Sequence, residues 1–413
     1  LPLVRPFAAL RPAAGRAAAV IAPPYDVVTT DEARARAAGR PWSFLHVSKP
    51  EIDLPPGTDP YSPPVYAKAA ENLGRMVRSG VLVRDAAPAY YVYRIASGAH
   101  VQTGLVAVAS VAAYEANHIR RHEHTRPDKE DDRVRHMQAL NAQTGPVLVA
   151  YPPARQIDAL LAAVAEGPPD SDATLDDGAR HAIWQIRDVA RSMRLTRLFD
   201  ALPALYIADG HHRSAAASRV AAARRATLAR RTGDESFEWF LTVAFPHHEL
   251  RILDYNRVVR DLGGMSVDAF LDRLREKFAI AASDKAVRPA RHGEFGLYSG
   301  GRWHRLELRT DLAEVADPAQ HLDASLLTDH VLAPILGIDD LRTDARIDFV
   351  GGGRGLVELE RRVDSGAMAA AFSLYPTRMD DLMAVADAGE VMPPKSTWFD
   401  PKLADGLVSH VLD

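Results

Sequence analysis

The sequence predicts an α+β, mixed α/β protein. Three observations carry this: short apolar runs of strand length, longer segments with apolar residues at helical spacing, and an irregular alternation of the two punctuated by Pro and Gly. In chain order, Pro50, Pro55, Pro56, Pro60, Pro63 and Pro64 predict an extended surface loop over 50–64. Ala67, Ala70, Leu73 and Val77 predict a helix over 65–79, with Gly80 just past its end. Residues 89–95 and 101–108 read as a hairpin whose loop is 96–99. A polar segment, 118–125, leads into a charged helix over about 129–143. Residues 146–151 and 205–207 read as buried strands, and 170–178 as an acidic loop between elements. An Ala-rich helix is expected to start near 212 and run to about Arg231, followed by a strand over 240–245 that Pro246 ends. Further on come an amphipathic helix over 267–278 and strands over 294–298 and 303–308. The last stretch offers a strand at 347–350, a turn at 351–353, a short helix, a strand over 369–375, a helix over 378–388 and a Pro-Lys-Ser-Thr loop. We expect a segment 1–84 packed on a core of residues 85–260, and a lobe 261–413 that closes the site.

Composition narrows the function classes. The chain has 413 residues, 47% hydrophobic and 25% charged, which suits a globular protein with sizeable cores. Its net charge of −4 argues against a dedicated basic nucleic-acid binder. Cysteine is absent, which excludes disulfides, thiolate metal sites and cysteine nucleophiles. No run of about 18 apolar residues occurs, so no membrane-spanning helix is expected. Pro2, Arg5, Pro6, Arg11, Pro12 and Arg16 interrupt any signal-peptide core, and a soluble, cytoplasmic protein is expected.

Several familiar motifs are missing. There is no phosphate loop of the G-x-x-x-x-G-K-[ST] kind, no G-x-S-x-G elbow and no H-E-x-x-H. Residues 351–355 read as a turn rather than a dinucleotide fingerprint. Asp170-Ser171-Asp172-Ala173-Thr174 matches D-x-D-x-T, but Pro168 and Pro169 deny it the buried strand that an aspartyl-phosphate site needs.

Two dense polar constellations remain. Asp209-Gly210-His211-His212-Arg213 joins a strand to a helix through a glycine turn. The N–H groups and dipole at such a helix start attract phosphate. Arg213 offers a planar fork, His211 and His212 can relay protons, and Asp209 can take a divalent metal or a proton. The bland alternative is an Asp cap among surface histidines. The second constellation holds His118, Arg120, Arg121, His122, Glu123, His124, Thr125, Lys129, Asp132 and Arg133. Glu123 among cations suits a general base or metal ligand. His122 and His124 alternate, so in an extended segment they would form a metal pair; a charged loop entering a solvated helix is the alternative. Tyr25 and Asp26 follow a rigid Pro-Pro, and Lys395, Ser396 and Thr397 follow another, where Lys395 suits a phosphate and the hydroxyls can bond it. Asp254-Tyr255-Asn256-Arg257 adds a further polar segment, in which Asn256 and Arg257 either contact substrate or cap a following helix.

In this order, Ala22-Pro23-Pro24-Tyr25-Asp26-Val27, His122-Glu123-x-Thr125 with Lys129 and Asp132-Arg133, Ala208-Asp209-Gly210-His211-His212-Arg213, Asp254-Tyr255-Asn256-Arg257 and Met392-Pro393-Pro394-Lys395-Ser396-Thr397 resemble a family catalogued as a domain of unknown function, family one thousand and fifteen. The Asp-Gly-His-His-Arg block is also similar to the nucleotide-binding turn of the ParB/sulfiredoxin superfamily, one branch of which comprises free serine kinases. The resemblance implies a ParB/sulfiredoxin-like nucleotide-binding core with an additional α/β lobe. It implies phosphoryl transfer between serine or phosphoserine and a nucleotide or water, as in serine biosynthesis: a serine kinase or a phosphoserine phosphatase-like enzyme. Carried over, it makes Glu123 the base, assisted by His122 and His211, and sets Asp209 near Mg²⁺ and phosphate. His211, His212 and Arg213 then hold the phosphates of a nucleotide (ATP or ADP); beside them we expect Gly210, Arg121, Lys395, Ser396 and Thr397 on phosphate or nucleotide, and Tyr25, Asp26 and Asn256 on the substrate. Two other classes stand beside it: a ParB-like nucleotide-binding module without turnover, and a metal-dependent hydrolase using His122, His124 and His211.

Overall fold

The computed structural model describes residues 2–230, 232–313 and 315–413, and the fold is α+β. The chain divides into two compact units, Leu1–Leu250 with Pro401–Asp413, and Arg251–Asp400.

The first unit is built on a nine-stranded mixed sheet. Its strands are β1 (Val4–Arg5), β2 (Tyr90–Ser97), β3 (His100–Ser110), β4 (Ile119–Arg120), β5 (Val147–Tyr151), β6 (Ser171–Thr174), β7 (Arg180–Ile186), β8 (Leu205–Asp209) and β9 (Trp239–Pro246). They lie in the order β4-β8-β5-β9-β3-β2-β7-β6, with β1 on β3. Two pairings are parallel, β4 with β8 and β5 with β9; the rest are antiparallel. Val147-Leu148-Val149-Ala150-Tyr151 and the whole of β9 are buried, as near-continuous apolar runs demand of strands covered on both faces.

Three helices matter for the site: α1 (Pro63–Arg78), α2 (Pro127–Leu140) and α3 (His211–Arg225). Pro63 and Pro64 open α1, where a missing N–H costs nothing. The buried residues Arg213, Ala216, Ala217, Val220 and Ala221 make one face of α3, and the four apolar ones join the sheet's core cluster. Helices α2 and α3 pack together, tied by Arg219 to Glu130 at 3.2 Å and to Asp131 at 2.6 Å.

Local differences from the sequence reading have local causes. Ser97 pairs with His100, so the hairpin loop is only Gly98-Ala99. Within the expected acidic loop, 171–174 forms the edge strand β6 against β7. The Pro-rich loop holds a 3₁₀ turn, Pro50–Asp53, with Pro50, Glu51 and Ile52 buried. Helix α2 stops at Asn141, whose φ of +49° turns the chain so that Ala142 and Gln143 pair with Val411 and His410. Helix α3 ends at Arg225, because the Thr227 N–H and hydroxyl both bond the Arg224 carbonyl; Arg231 lies outside the described residues.

The second unit carries a six-stranded antiparallel sheet. Its strands run Phe278–Ser283, Arg302–Leu308, Glu294–Ser299, Ala370–Leu374, Tyr255–Val259, Ile347–Gly351 across the sheet. The helix expected to reach 278 ends at Arg275, and Phe278 opens a strand opposite Leu308. Asn256 and Arg257 sit in a strand rather than capping a helix. Phe270, Leu274, Phe295, Leu297 and Phe372 centre this unit's core. Among the described residues no helix is long and apolar enough to cross a membrane.

Candidate active site

Parallel pairing explains how distant segments meet. In β4 and β8, Ile119 lies opposite Leu205 and Arg120 opposite Tyr206. Parallel neighbours leave a sheet at the same end, so the loop after β4 and the turn after β8 emerge side by side. The result brings His122 and Glu123 to His211. The His122 and His211 rings meet edge to face at 4.4 Å, and Glu123 Oε2 stands 3.7 Å from His211 Nδ1. His122 and His211 are 1% and 4% exposed, whereas the Glu123 side chain is 37% exposed. A carboxylate reachable from solvent thus stands against two enclosed imidazoles. Burial, opposed by the Ile207 backbone and Asp209, pulls His122 down to about 4. Burial and the neighbouring His122 hold His211 well below its ordinary value, so both rings are neutral at pH 7.

Gly210 makes the turn possible. Its φ is +100°, and a Cβ there would come within 3.1 Å of the Arg213 guanidinium carbon. The Gly210 carbonyl accepts the N–H groups of Arg213 and Ser214, which start α3. His212 points the other way: its Nε2 accepts the Arg126 N–H at 3.0 Å and so fastens the loop after β4 to α3.

Arg213 was expected on phosphate. It is 7% exposed instead, donates to the Pro146 carbonyl, and faces Asp209 at 3.6 Å and Asp26 at 3.9 Å. Burial works against its charge, but Asp26, Asp209, Tyr25 and Asp405 outweigh burial and raise its pKa. Tyr25 lies under the Arg133 guanidinium at 3.9 Å, and burial lifts its hydroxyl to about 12. Tyr25, Arg133, His136, Thr144, Arg213 and Asp405 help line a cavity of about 20 Å³, room for one water and no substrate. The structure therefore joins Tyr25 and Asp26 to the Asp209 turn through Arg213, in a charge network buried at Arg213 and open to solvent at Asp26.

Asp209 was expected to hold Mg²⁺. Its Oδ2 instead accepts from Lys402 Nζ at 2.9 Å and its Oδ1 faces Arg213, and despite burial these cations keep it well below the usual carboxylate range. Both oxygens thus face side-chain cations of this chain. The His122/His124 pair does not form either: His124 is exposed, and the ligand-type group is His122, Glu123 and His211. Arg121 is exposed, stacked on Tyr114 at 4.9 Å. Asn256, Lys395, Ser396 and Thr397 belong to the second unit. There the Asn256 amide donates to Asp254 at 2.6 Å and its oxygen accepts the Leu374 N–H, Lys395 lies 5.9 Å over the Tyr255 ring, and the Ser396 hydroxyl donates to the Pro393 carbonyl. Sequence reasoning missed Lys402 and Asp405, which no local pattern marks.

Fold and site thus define an α+β protein with a carboxylate–histidine cluster at the end of two parallel strands. The chain belongs to the family described as "Protein of unknown function (DUF1015)", whose model matches residues 4–325. No curated protein matches it. Among solved structures it is similar to a free serine kinase in complex with AMP, with 12% identity, 68% of this chain and 84% of that one covered, and a TM-score of 0.37. It is similar to a conserved hypothetical protein from Pyrococcus furiosus, with 14% identity, 70% and 90% covered, and a TM-score of 0.35. A third is SbnI with C-terminal truncation from Staphylococcus aureus, with 12% identity, 73% and 85% covered, and a TM-score of 0.36. At such scores these likenesses assign neither substrate nor chemistry to this chain.

Proposed function

We propose that the chain is a phosphoryl-transfer enzyme acting on free serine or phosphoserine, with a nucleotide or water as the second reactant. The observation that carries the reading is the Glu123 carboxylate 3.7 Å from His211, at a glycine turn that opens a helix. The sequence resemblance to the free serine kinase branch of the ParB/sulfiredoxin superfamily supplies the substrate class.

The physical requirement is a base that can reach solvent beside groups that tolerate phosphate charge. Glu123 meets the first part: it takes the proton of the attacking hydroxyl, serine in one direction and water in the other. The start of α3 and the exposed Arg121 meet the second. His122 and His211, kept neutral, enclose the carboxylate without adding charge to the site. In the forward direction the seryl oxygen forms a bond to the terminal phosphorus of the nucleotide (ATP or ADP), the bond from that phosphorus to its bridging oxygen breaks, and Glu123 keeps the proton. In the hydrolytic direction the water oxygen bonds to phosphorus as its proton passes to Glu123, the phosphorus–seryl oxygen bond breaks, and the seryl oxygen takes that proton back from Glu123. Arg213, Asp26 and Asp209 hold the turn in shape rather than touch phosphate.

Phosphorus NMR of the full chain with phosphoserine and Mg²⁺, with and without ADP, tests this. Growth of inorganic phosphate without ADP, or of ATP resonances with it, is expected. Phosphoserine unchanged in both samples, with serine plus ATP equally inert, overturns the reading.

A further inference from the structure

We propose that His122, Glu123 and His211 bind a divalent cation of the zinc, cobalt or manganese class, a site that rests on its own geometry and whose ion takes the carboxylate that acts as base in the metal-free chain. One ligand atom from each residue lies within 4.8 Å of the others. A tetrahedral ion with bonds of about 2.0–2.2 Å spaces its ligands by roughly 3.3–3.6 Å, so closing the set asks for side-chain shifts on the order of 1 Å.

A second observation is independent of that spacing. Nε2 of His211 is buried without a hydrogen-bond partner, and neither ring nitrogen of His122 makes a well-formed hydrogen bond, its one hydrogen-bonding neighbour being the Ile207 backbone. Buried polar atoms are nearly always paired, and an ion held by one nitrogen of each ring would give His211 Nε2 and one His122 nitrogen the partner they lack. The loop after β4 and the turn after β8 fix both rings from separate strands, so the cluster does not depend on one flexible segment.

Ligand chemistry selects the ion. Two imidazoles and one carboxylate suit zinc, cobalt, manganese or iron(II), whereas Mg²⁺ prefers an all-oxygen octahedron. Three protein ligands also leave positions open for water or a substrate oxygen, and the 37% exposure of Glu123 puts the open side toward solvent. Asp209, already engaged by Lys402 and Arg213, stands outside the set.

The test is a Co²⁺ titration of the chelator-treated full chain, read by visible d–d absorption and by thermal midpoint. Saturation at one Co²⁺ per chain, displacement by Zn²⁺ but not by Mg²⁺, and a midpoint raised by Zn²⁺ are expected. Glu123→Gln and His211→Ala should each weaken Co²⁺ by at least about 100-fold, beyond the loss from removing only a supporting group. His124→Ala, at an exposed site, should leave it unchanged. If His211→Ala fails to fold, Glu123→Gln, altered at a solvent-reachable position, decides alone. A folded wild-type chain with no Co²⁺ spectrum, or one whose titration Glu123→Gln leaves unchanged, overturns the site. No Co²⁺ binding alongside phosphoserine turnover defeats this inference alone, and Co²⁺ binding without turnover in either direction defeats only the proposed function.

Discussion

Lys402 Nζ donates to Asp209 Oδ2 across 2.9 Å, tying the end of the chain to the strand that carries the glycine turn. Asp209 needs that partner, because a mostly buried carboxylate without one keeps its desolvation cost and loses its attraction. The pair is one of several contacts, with the pairing of His410 and Val411 to Gln143 and Ala142, that hold Pro401–Asp413 in the first unit although 150 intervening residues form the second.

Lys402→Met should therefore destabilise the protein by about 1.5–3 kcal/mol, the range for hydrogen bonds between charged groups. Adding Asp209→Asn should recover part of the loss, since the stranded charge is removed. Urea unfolding of the two single variants and the double variant measures this coupling. Additive losses would show that the pair is not coupled.

Gly210→Ala should cost about 1–2 kcal/mol from the left-handed backbone alone. The new Cβ also presses on the Arg213 guanidinium at 3.1 Å, so the measured loss should exceed that of Gly→Ala at exposed Gly178, which is left-handed without crowding. Equal losses at the two positions would remove Arg213 packing from the account.

How much of this was legible in the sequence differs by element. Helix α1 and the strands β2, β3, β5, β8 and β9 follow from apolar periodicity and lie within a few residues of where it predicts them. Edge elements were lost because their sequences carry no apolar signal: β6 is Ser-Asp-Ala-Thr, and only its pairing to β7 makes it a strand. The site was legible as two polar clusters, yet their chemistry was assigned by residue type. Arg213 has the right fork for phosphate, but its depth among Asp26, Asp209 and Asp405 decides its partners. Lys402 and Asp405 gave no signal, because a lone Lys and a lone Asp near a chain end look like solvated surface.

Acid should unfold the protein through its buried histidines. Burial lowers His122, His136, His181 and His410 from 6.5 to about 4. A folded pKa below the unfolded one means stability that is present above pH 6.5 and lost as pH falls through about 4, each group contributing up to about 1.4 kcal/mol per pH unit. Denaturant midpoints from pH 7 to pH 4 should fall steadily, and His136→Gln should flatten the slope. A midpoint independent of pH in this window contradicts the neutral assignment.

Asp405 works in the opposite direction. Burial, opposed by Arg213, raises it from 3.8 to about 7. Its contribution is present below pH 3.8 and lost as pH rises through about 7. Asp405→Asn should be more stable than wild type at pH 8, by at most about 4 kcal/mol, with the advantage fading toward pH 4. A variant less stable than wild type at pH 8 would show that Arg213 needs this carboxylate charged.

The most direct measurement is phosphorus NMR of phosphoserine turnover in wild type and Glu123→Gln side by side, with nucleotide affinity by calorimetry on the same samples. Gln keeps the shape of Glu123 and loses its basicity, so turnover should fall by about 10²–10⁴-fold while nucleotide affinity stays close to wild type. Turnover near that of wild type would exclude Glu123 as the base and contradict the role given to its contact with His211.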